Sequence, residues 1–212
     1  MVTQKEDLLE ILKLISKDLI NSEKLLTDLD SETGDGDCGS GLKRGFEAIL
    51  NLLPAITDKS IGEILKKVGF TLASTIGGTS GAMFGSGFME FGKNIDDIKN
   101  PTIKNWIYAS KGALDKMKIR GENTKIGDKT LIDALEPAIH GMLEYIRSGN
   151  ENIKSMLEIA CIEAKNGSEK TKDMIAKKGR ASYLGERTLG KVDPGSVVIY
   201  LMFKATLSFY KN

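Results

Sequence analysis

The 212-residue chain holds one histidine, two cysteines and four prolines, and aromatic residues make up only 6% of it. Two cysteines cannot build a disulfide framework in a domain of this size, so a reducing, cytoplasmic setting is expected. The single histidine, His140, falls one residue off the apolar face of its segment, where a surface position is expected. That excludes a phosphohistidine carrier and leaves any cysteine nucleophile without a histidine base nearby in sequence. Charge of one sign is also missing: 30 basic residues stand against 29 acidic ones. A net charge of +1 gives no general attraction to nucleic acid or to acidic lipid. No stretch of 18 uncharged apolar residues exists, so no membrane span is expected. The first fifteen residues, MVTQKEDLLEILKLI, carry acidic groups inside their apolar pattern, unlike a signal peptide.

What the chain does have is helical periodicity. Leu8, Ile11, Leu12, Ile15, Leu19 and Leu26 recur at spacings of three and four, predicting one helix over 8–29. Further helices are expected at 39–53, from Ser60 to about Ser74, after the 77–81 glycines, at 102–118, 129–147 and 152–177, and from Pro194 onward. Ser60-Ile-Gly-Glu63 reads as a capping box, and Asp193-Pro194 as an N-cap followed by the favoured N1 proline. Pro137 sits inside the sixth helix, where a kink is expected. Trp106 and the eight methionines read as core filling, and Cys161 as a small buried residue. No strand alternation, internal repeat or domain linker is evident. The expected fold is a single all-α domain over 1–212, an antiparallel eight-helix barrel or bundle.

The glycines gather in the connections at 34–45, 77–87, 121–127 and 179–195. The first cluster also holds Asp30, Asp35 and Asp37, three aspartates within eight residues. If they converge, their carboxylates repel one another, and a hard cation such as Mg²⁺ resolves the conflict; a solvated acidic loop is the plain alternative. An EF-hand does not fit, because the twelfth position is Phe46 counted from Asp35 and Gly41 counted from Asp30. Gly77-Gly-Thr-Ser-Gly81 precedes a helix and suits phosphate by its free N–H groups, yet helix packing would use the same glycines. It is not a Walker A loop, for it lacks the Lys-Ser/Thr pair. Arg180 could clasp a polyphosphate or could be an ordinary basic residue near a helix end.

Taken together, LTDLDSETGDGDCGSGLKRGF, IGGTSGAMFG, GDKTLIDAL and KKGRASYLGERTLGKVDPG resemble, in order and spacing, the L subunit of bacterial dihydroxyacetone kinases. The resemblance covers nearly the whole chain. It implies an eight-helix barrel with ADP or ATP bound at one end. It implies that Asp30, Asp35 and Asp37 hold two Mg²⁺ and, with Arg180, serve catalysis. By the same match Cys38, Gly39, Ser40, Gly41, Thr79, Ser80, Gly121, Thr130, Leu131, Arg180, Asp193, Pro194 and Gly195 would line the nucleotide, with Leu131 against adenine. The implied partners are a K subunit holding dihydroxyacetone and an M subunit relaying phosphate from phosphoenolpyruvate; a homodimer is compatible with the match. One departure stands out. Many free-standing L subunits have histidine where this chain has Cys38, and the Cys form resembles fused ATP-dependent kinases. The length argues for a separate subunit, since 212 residues leave no room for a dihydroxyacetone-binding domain. A direct ATP-using kinase subunit and a nucleotide-loaded regulatory module stay open as alternatives.

Overall fold

The computed structural model describes residues 4–96 and 98–211. Nine α-helices run through them: α1 Gln4–Asn21, α2 Glu23–Ser31, α3 Cys38–Leu52, α4 Ile61–Thr75, α5 Gly78–Ile95, α6 Ile103–Arg120, α7 Ile132–Arg147, α8 Ile153–Lys170 and α9 Pro194–Phe209. Short 3₁₀ segments lie at Leu53–Ala55, Thr171–Asp173 and Arg180–Thr188. There is no strand among the described residues, as the periodicity predicts.

Eight of the helices close a ring. Each packs on the next in the order α1, α3, α4, α5, α6, α7, α8, α9, and α9 returns to α1. The ninth, α2, lies outside that ring against α3 and α9. It arises because the helix expected over 8–29 is divided at Ser22. Ser22 has φ −91° and ψ 6°, and its hydroxyl donates to Asp18 O at 2.7 Å. This local back-bonding competes with the helical ladder. Leu19 and Leu26 nevertheless stay on one apolar stripe and are both fully buried.

The ring is held by its inner faces. Phe46, Phe84, Leu42, Ile49, Ile64, Leu72 and Ile107 are almost wholly buried, each worth about 1.5–3 kcal/mol of transfer free energy. Trp106 is half-buried, edge-on to Phe91 at 5.7 Å. Met83, Met117, Met142 and Met156 are buried; Met1 falls outside the described residues. Cys161 is partly rather than fully buried, and His140 is exposed.

The caps set where helices begin. Ser60 and Glu63 form the expected capping box on α4, and Thr102 with Asn105 forms another on α6. Asp193 caps α9 by accepting from Ser196 N at 2.6 Å, with Pro194 at the first helical position. Pro137 lies within α7. Three ends differ from expectation, the first being α1, which begins at Gln4 rather than Leu8. α7 starts at Ile132 because Lys129 takes φ +61°, which no helix admits. α8 stops at Lys170 rather than near 177, since the groups of Thr171 are taken by tertiary partners described below. Alternate helices reverse direction, so the starts of α3, α5, α7 and α9 and the ends of α4, α6 and α8 meet at one mouth of the barrel.

Candidate functional site at the mouth of the barrel

The mouth is built around three carboxylates. Asp30 comes from the last turn of α2, Asp35 from the connecting loop, and Asp37 from the N-cap position of α3. One oxygen of each lies within 4.8 Å of the others. Asp30 organises the loop: its carbonyl accepts from Gly34 N at 2.5 Å and its carboxylate from Cys38 N at 3.2 Å. A Cβ on Gly34 would sit 2.3 Å from the Asp30 carboxylate, so only glycine lets the loop fold over it. Gly36 takes φ +75°, the left-handed conformation that returns the chain toward α3. Asp37 makes no side-chain capping bond, so its carboxylate is not committed to the helix it precedes. The donor set is three hard oxygens with no nitrogen or sulfur, which fits Mg²⁺ and fits zinc poorly.

Arg180 forms an ion pair with Asp35 and thereby brings the 180–188 segment over the acidic loop. The pair is exposed, with 67% of the Arg180 side chain open to solvent. Such a pair adds little stability, so the guanidinium can exchange Asp35 for another anion at small cost.

The second cluster stands beside the first. Gly77 and Gly78 have φ of +83° and +57° and turn the chain into α5, leaving Thr79 and Ser80 exposed on its first turn. Arg44 of α3 holds this turn in place: it donates to Thr75 O at 2.7 Å and to Ile76 O at 3.1 Å, at the end of α4. Gly41 lies against the same Ile76 carbonyl. Cys38 N and Gly41 N are taken by Asp30 and Asp37, and the Gly39 and Ser40 N–H groups of α3 stand with those starting α5 beside the aspartates, where a helix start favours an anion.

The remaining expected residues continue around the mouth. A Cβ on Gly121, at the end of α6, would touch Met83 of α5 and Thr124. The hydroxyls of Thr124 and Thr130 are 3.1 Å apart. Leu131 is 4% exposed and faces Gly195, the second residue of α9, on which a Cβ would come 3.3 Å from the Leu131 Cβ. Asp193 is close enough to Asp30 and Asp133 to feel their charge. Burial pushes its carboxyl up to about 7, and those two acids add to the effect. Burial, then Asp30, Asp193 and Asp37, push the Cys38 thiol up to about 12, so it is a neutral thiol at physiological pH.

Several residues at the mouth escaped the sequence reading. Asp133 accepts from Gly127 N at 2.6 Å and from Thr130 N at 2.7 Å and shapes the loop before α7. Burial raises its carboxyl, and these two hydrogen bonds oppose that. Arg44 and Lys129 were also passed over. Only the spacing Gly127–Thr130–Asp133 could have pointed to the first; the other two act through carbonyls distant in sequence. Cys161 and His140 take no part, the latter lying exposed on α7.

The chain is similar to several known proteins. The family model described as the DAK2 domain matches residues 32–208. The ADP-binding subunit DhaL of the PEP-dependent dihydroxyacetone kinase of Escherichia coli (strain K12) is 37% identical, over 88% of this chain and 89% of that protein. A probable dihydroxyacetone kinase of Dictyostelium discoideum is 35% identical over 97% of this chain and 33% of its own length. The crystal structure of the dihydroxyacetone kinase from C. freundii in complex with AMP-PNP and Mg²⁺ superposes with a TM-score of 0.73 at 27% identity. It is matched over 94% of this chain and 33% of that one, so this chain spans about a third of the latter two proteins.

Proposed function

Because the chain belongs to the DAK2-domain family, we propose that it is the nucleotide-carrying subunit of a phosphoenolpyruvate-dependent dihydroxyacetone kinase. In this reading the protein holds ADP, a phosphocarrier subunit delivers a phosphoryl group to it, and the chain presents the γ-phosphoryl to dihydroxyacetone held on a K subunit. The observation that carries the reading is the convergence of Asp30, Asp35 and Asp37 at the barrel mouth beside two glycine-rich helix starts, in a chain that aligns along its length with an ADP-binding subunit.

Asp30, Asp35 and Asp37 would hold two Mg²⁺, which would supply four positive charges against about three on ADP and three on the aspartates. The protein's own residues supply the rest. Cys38 to Gly41 line the phosphates at the start of α3, where the Gly39 and Ser40 N–H groups donate to phosphate oxygens while Cys38 N and Gly41 N stay on Asp30 and Asp37; the Thr79 and Ser80 N–H groups do the same at the start of α5. Arg180, released from Asp35, offsets charge on the group in transfer. Gly121, Thr130, Leu131 and the Asp193–Gly195 start of α9 would take the nucleoside, with Leu131 offering an apolar face to adenine. No nucleophile or general base is asked of the protein: the thiol of Cys38 stays protonated, and the work is positioning and charge neutralisation.

A second reading is a subunit of a kinase that uses free ATP directly on dihydroxyacetone or a related small sugar. Cys38 favours it, since the Gly-Asp-Gly-Asp-Cys-Gly form resembles the fused kinases. Labelled ADP loaded on the protein decides between them in the presence of K and M subunits, phosphoenolpyruvate and dihydroxyacetone. On the first reading product accumulates over many turnovers while the label stays bound. Exchange of the label with free ATP on the turnover timescale, with ATP alone sustaining the reaction, establishes the second.

A further inference from the structure

Among the described residues three non-glycine residues adopt positive φ: Glu122, Asn123 and Lys129. The first two are exposed; Lys129 is 3% exposed. A lysine that is both buried and left-handed is held there by its surroundings. Its ammonium donates to Thr171 O and to Lys191 O, both at 2.5 Å. These carbonyls lie 42 and 62 residues away in sequence, one at the end of α8 and one just before α9.

The two acceptor segments are already paired with each other. Gly190 N donates to Lys172 O at 2.8 Å, and Asp193 N donates to the Thr171 hydroxyl at 3.0 Å. The loop before α7, which carries Thr130 and Leu131, meets the segment after α8 at Asp128, whose carbonyl accepts from Lys177 N at 3.1 Å. Lys129 adds a tie to the paired carbonyl segments themselves, next to Thr130. Burial draws the ammonium below its ordinary range, while Asp193, Asp133 and Asp173 oppose that and favour the charged form. The phosphate side of the mouth has separate fastenings, in Asp30 with Cys38 N and in Arg44 with the end of α4.

We propose that Lys129 is a positioning residue for the nucleoside half of the site, clamping the Thr130–Leu131 loop at a fixed distance from the Asp193–Gly195 start of α9. This rests on the nucleotide-carrying reading above. The Lys129 ammonium donates to these two carbonyls and not to Asp30, Asp35 or Asp37. Its effect is on the gap between Leu131 and Gly195, which is so narrow that a Cβ placed on Gly195 would come 3.3 Å from the Leu131 Cβ.

The test compares a ligand with a base against one without. Full-length wild type, Lys129→Met and Lys129→Arg, freed of nucleotide, are titrated calorimetrically with Mg–ADP and with Mg–pyrophosphate. Methionine keeps the length of the side chain and its backbone preference but removes the charge-assisted donors. Arginine keeps the charge but replaces a compact three-donor head with a planar fork that two carbonyls on different segments do not match. Lys129→Met should bind ADP at least tenfold more weakly and pyrophosphate within about twofold to threefold of wild type, with Lys129→Arg between the two for ADP. If Lys129→Met does not fold, the same ADP-to-pyrophosphate comparison on Lys129→Arg decides. An unchanged ratio overturns the proposal, whether both ligands weaken together, as a merely structural lysine requires, or neither weakens. Wild type that binds pyrophosphate but no ADP defeats the nucleotide reading itself and this inference with it; an unchanged ratio with normal ADP binding by wild type defeats this inference alone.

Discussion

Asp37→Ala should weaken Mg–ADP binding at least tenfold and leave the ligand-free protein as stable as before. The separation follows from where Asp37 sits. It occupies the N-cap of α3, the position where an aspartate ordinarily stabilises a helix by accepting from its first turn, but its side chain makes no such bond. The bonds that do start the helix, Gly41 N at 2.9 Å and the Ser40 hydroxyl at 3.0 Å, go to the backbone carbonyl of Asp37 and survive the change to alanine. An exposed side chain with no partner costs within about 0.5 kcal/mol to remove, and relief from repulsion by Asp30 and Asp35 offsets part of that. With ligand present the accounting changes. One charged oxygen donor is lost from a set of three, and a charge-assisted contact of this kind is worth about 1.5–3 kcal/mol, a factor of roughly 10 to 150 in affinity. Calorimetric titration with Mg–ADP reads the affinity, and thermal melting in EDTA reads the fold. Unchanged affinity would remove Asp37 from the ligand set. A fall in the EDTA melting temperature by several degrees would show that the acidic loop is a structural element, which the geometry denies.

Other consequences can be checked as readily. Cys38→Ser should keep most phosphoryl transfer, because a thiol raised to about 12 does no nucleophilic work at neutral pH; loss of transfer with ADP binding intact would contradict that. Stripping metal and nucleotide with EDTA should lower the melting temperature, by a stabilisation of about 2.7 kcal/mol if ligand stood at about a hundred times its dissociation constant; an unmoved melting curve would mean the ligand does not brace the mouth. Asp96 accepts from Lys66 at 2.5 Å and from the Ser60 hydroxyl at 2.7 Å, and these hold its carboxyl below the ordinary range. A depressed folded-state value contributes stability above the unfolded carboxylate's pKa, about 3.9, and loses it as pH falls through the folded value. Asp96→Asn should therefore cost up to about 1 kcal/mol at pH 7, the range for a partly exposed pair, with the two proteins converging in acid; a difference that grows toward low pH would reverse the assignment.

The barrel was legible wherever a signal was local. Ser60 with Glu63 and Asp193 with Pro194 announce their helices through residues three apart or adjacent, and the structure keeps both starts. The acidic loop could be read because its three aspartates lie within eight residues and glycines separate them. The division at Ser22 was hidden because Leu19 and Leu26 keep one apolar stripe across it; a serine back-bonding to Asp18 leaves no mark in the hydrophobic period. The ends of α7 and α8 were misplaced for a related reason. Lys129 and Thr171 read as ordinary helix residues, yet Lys129 takes φ +61° and Thr171 gives its carbonyl to Lys129 and its hydroxyl to Asp193 N, partners 42 and 22 residues away. Long-range hydrogen bonds of this kind carry no sequence period, and the same bonds join the loop before α7 to the end of α8 and the approach to α9.

On the proposed reading this chain carries a resident nucleotide on metal held by Asp30, Asp35 and Asp37. Native mass spectrometry of the purified protein, sprayed from volatile buffer without added ligand, tests it in one step. The main species should be heavier than the chain by one ADP and two Mg²⁺, and the Asp37→Ala protein should have lost most of that mass. A wild-type protein that emerges as the bare chain, and stays bare after incubation with Mg²⁺ and ADP, would contradict it.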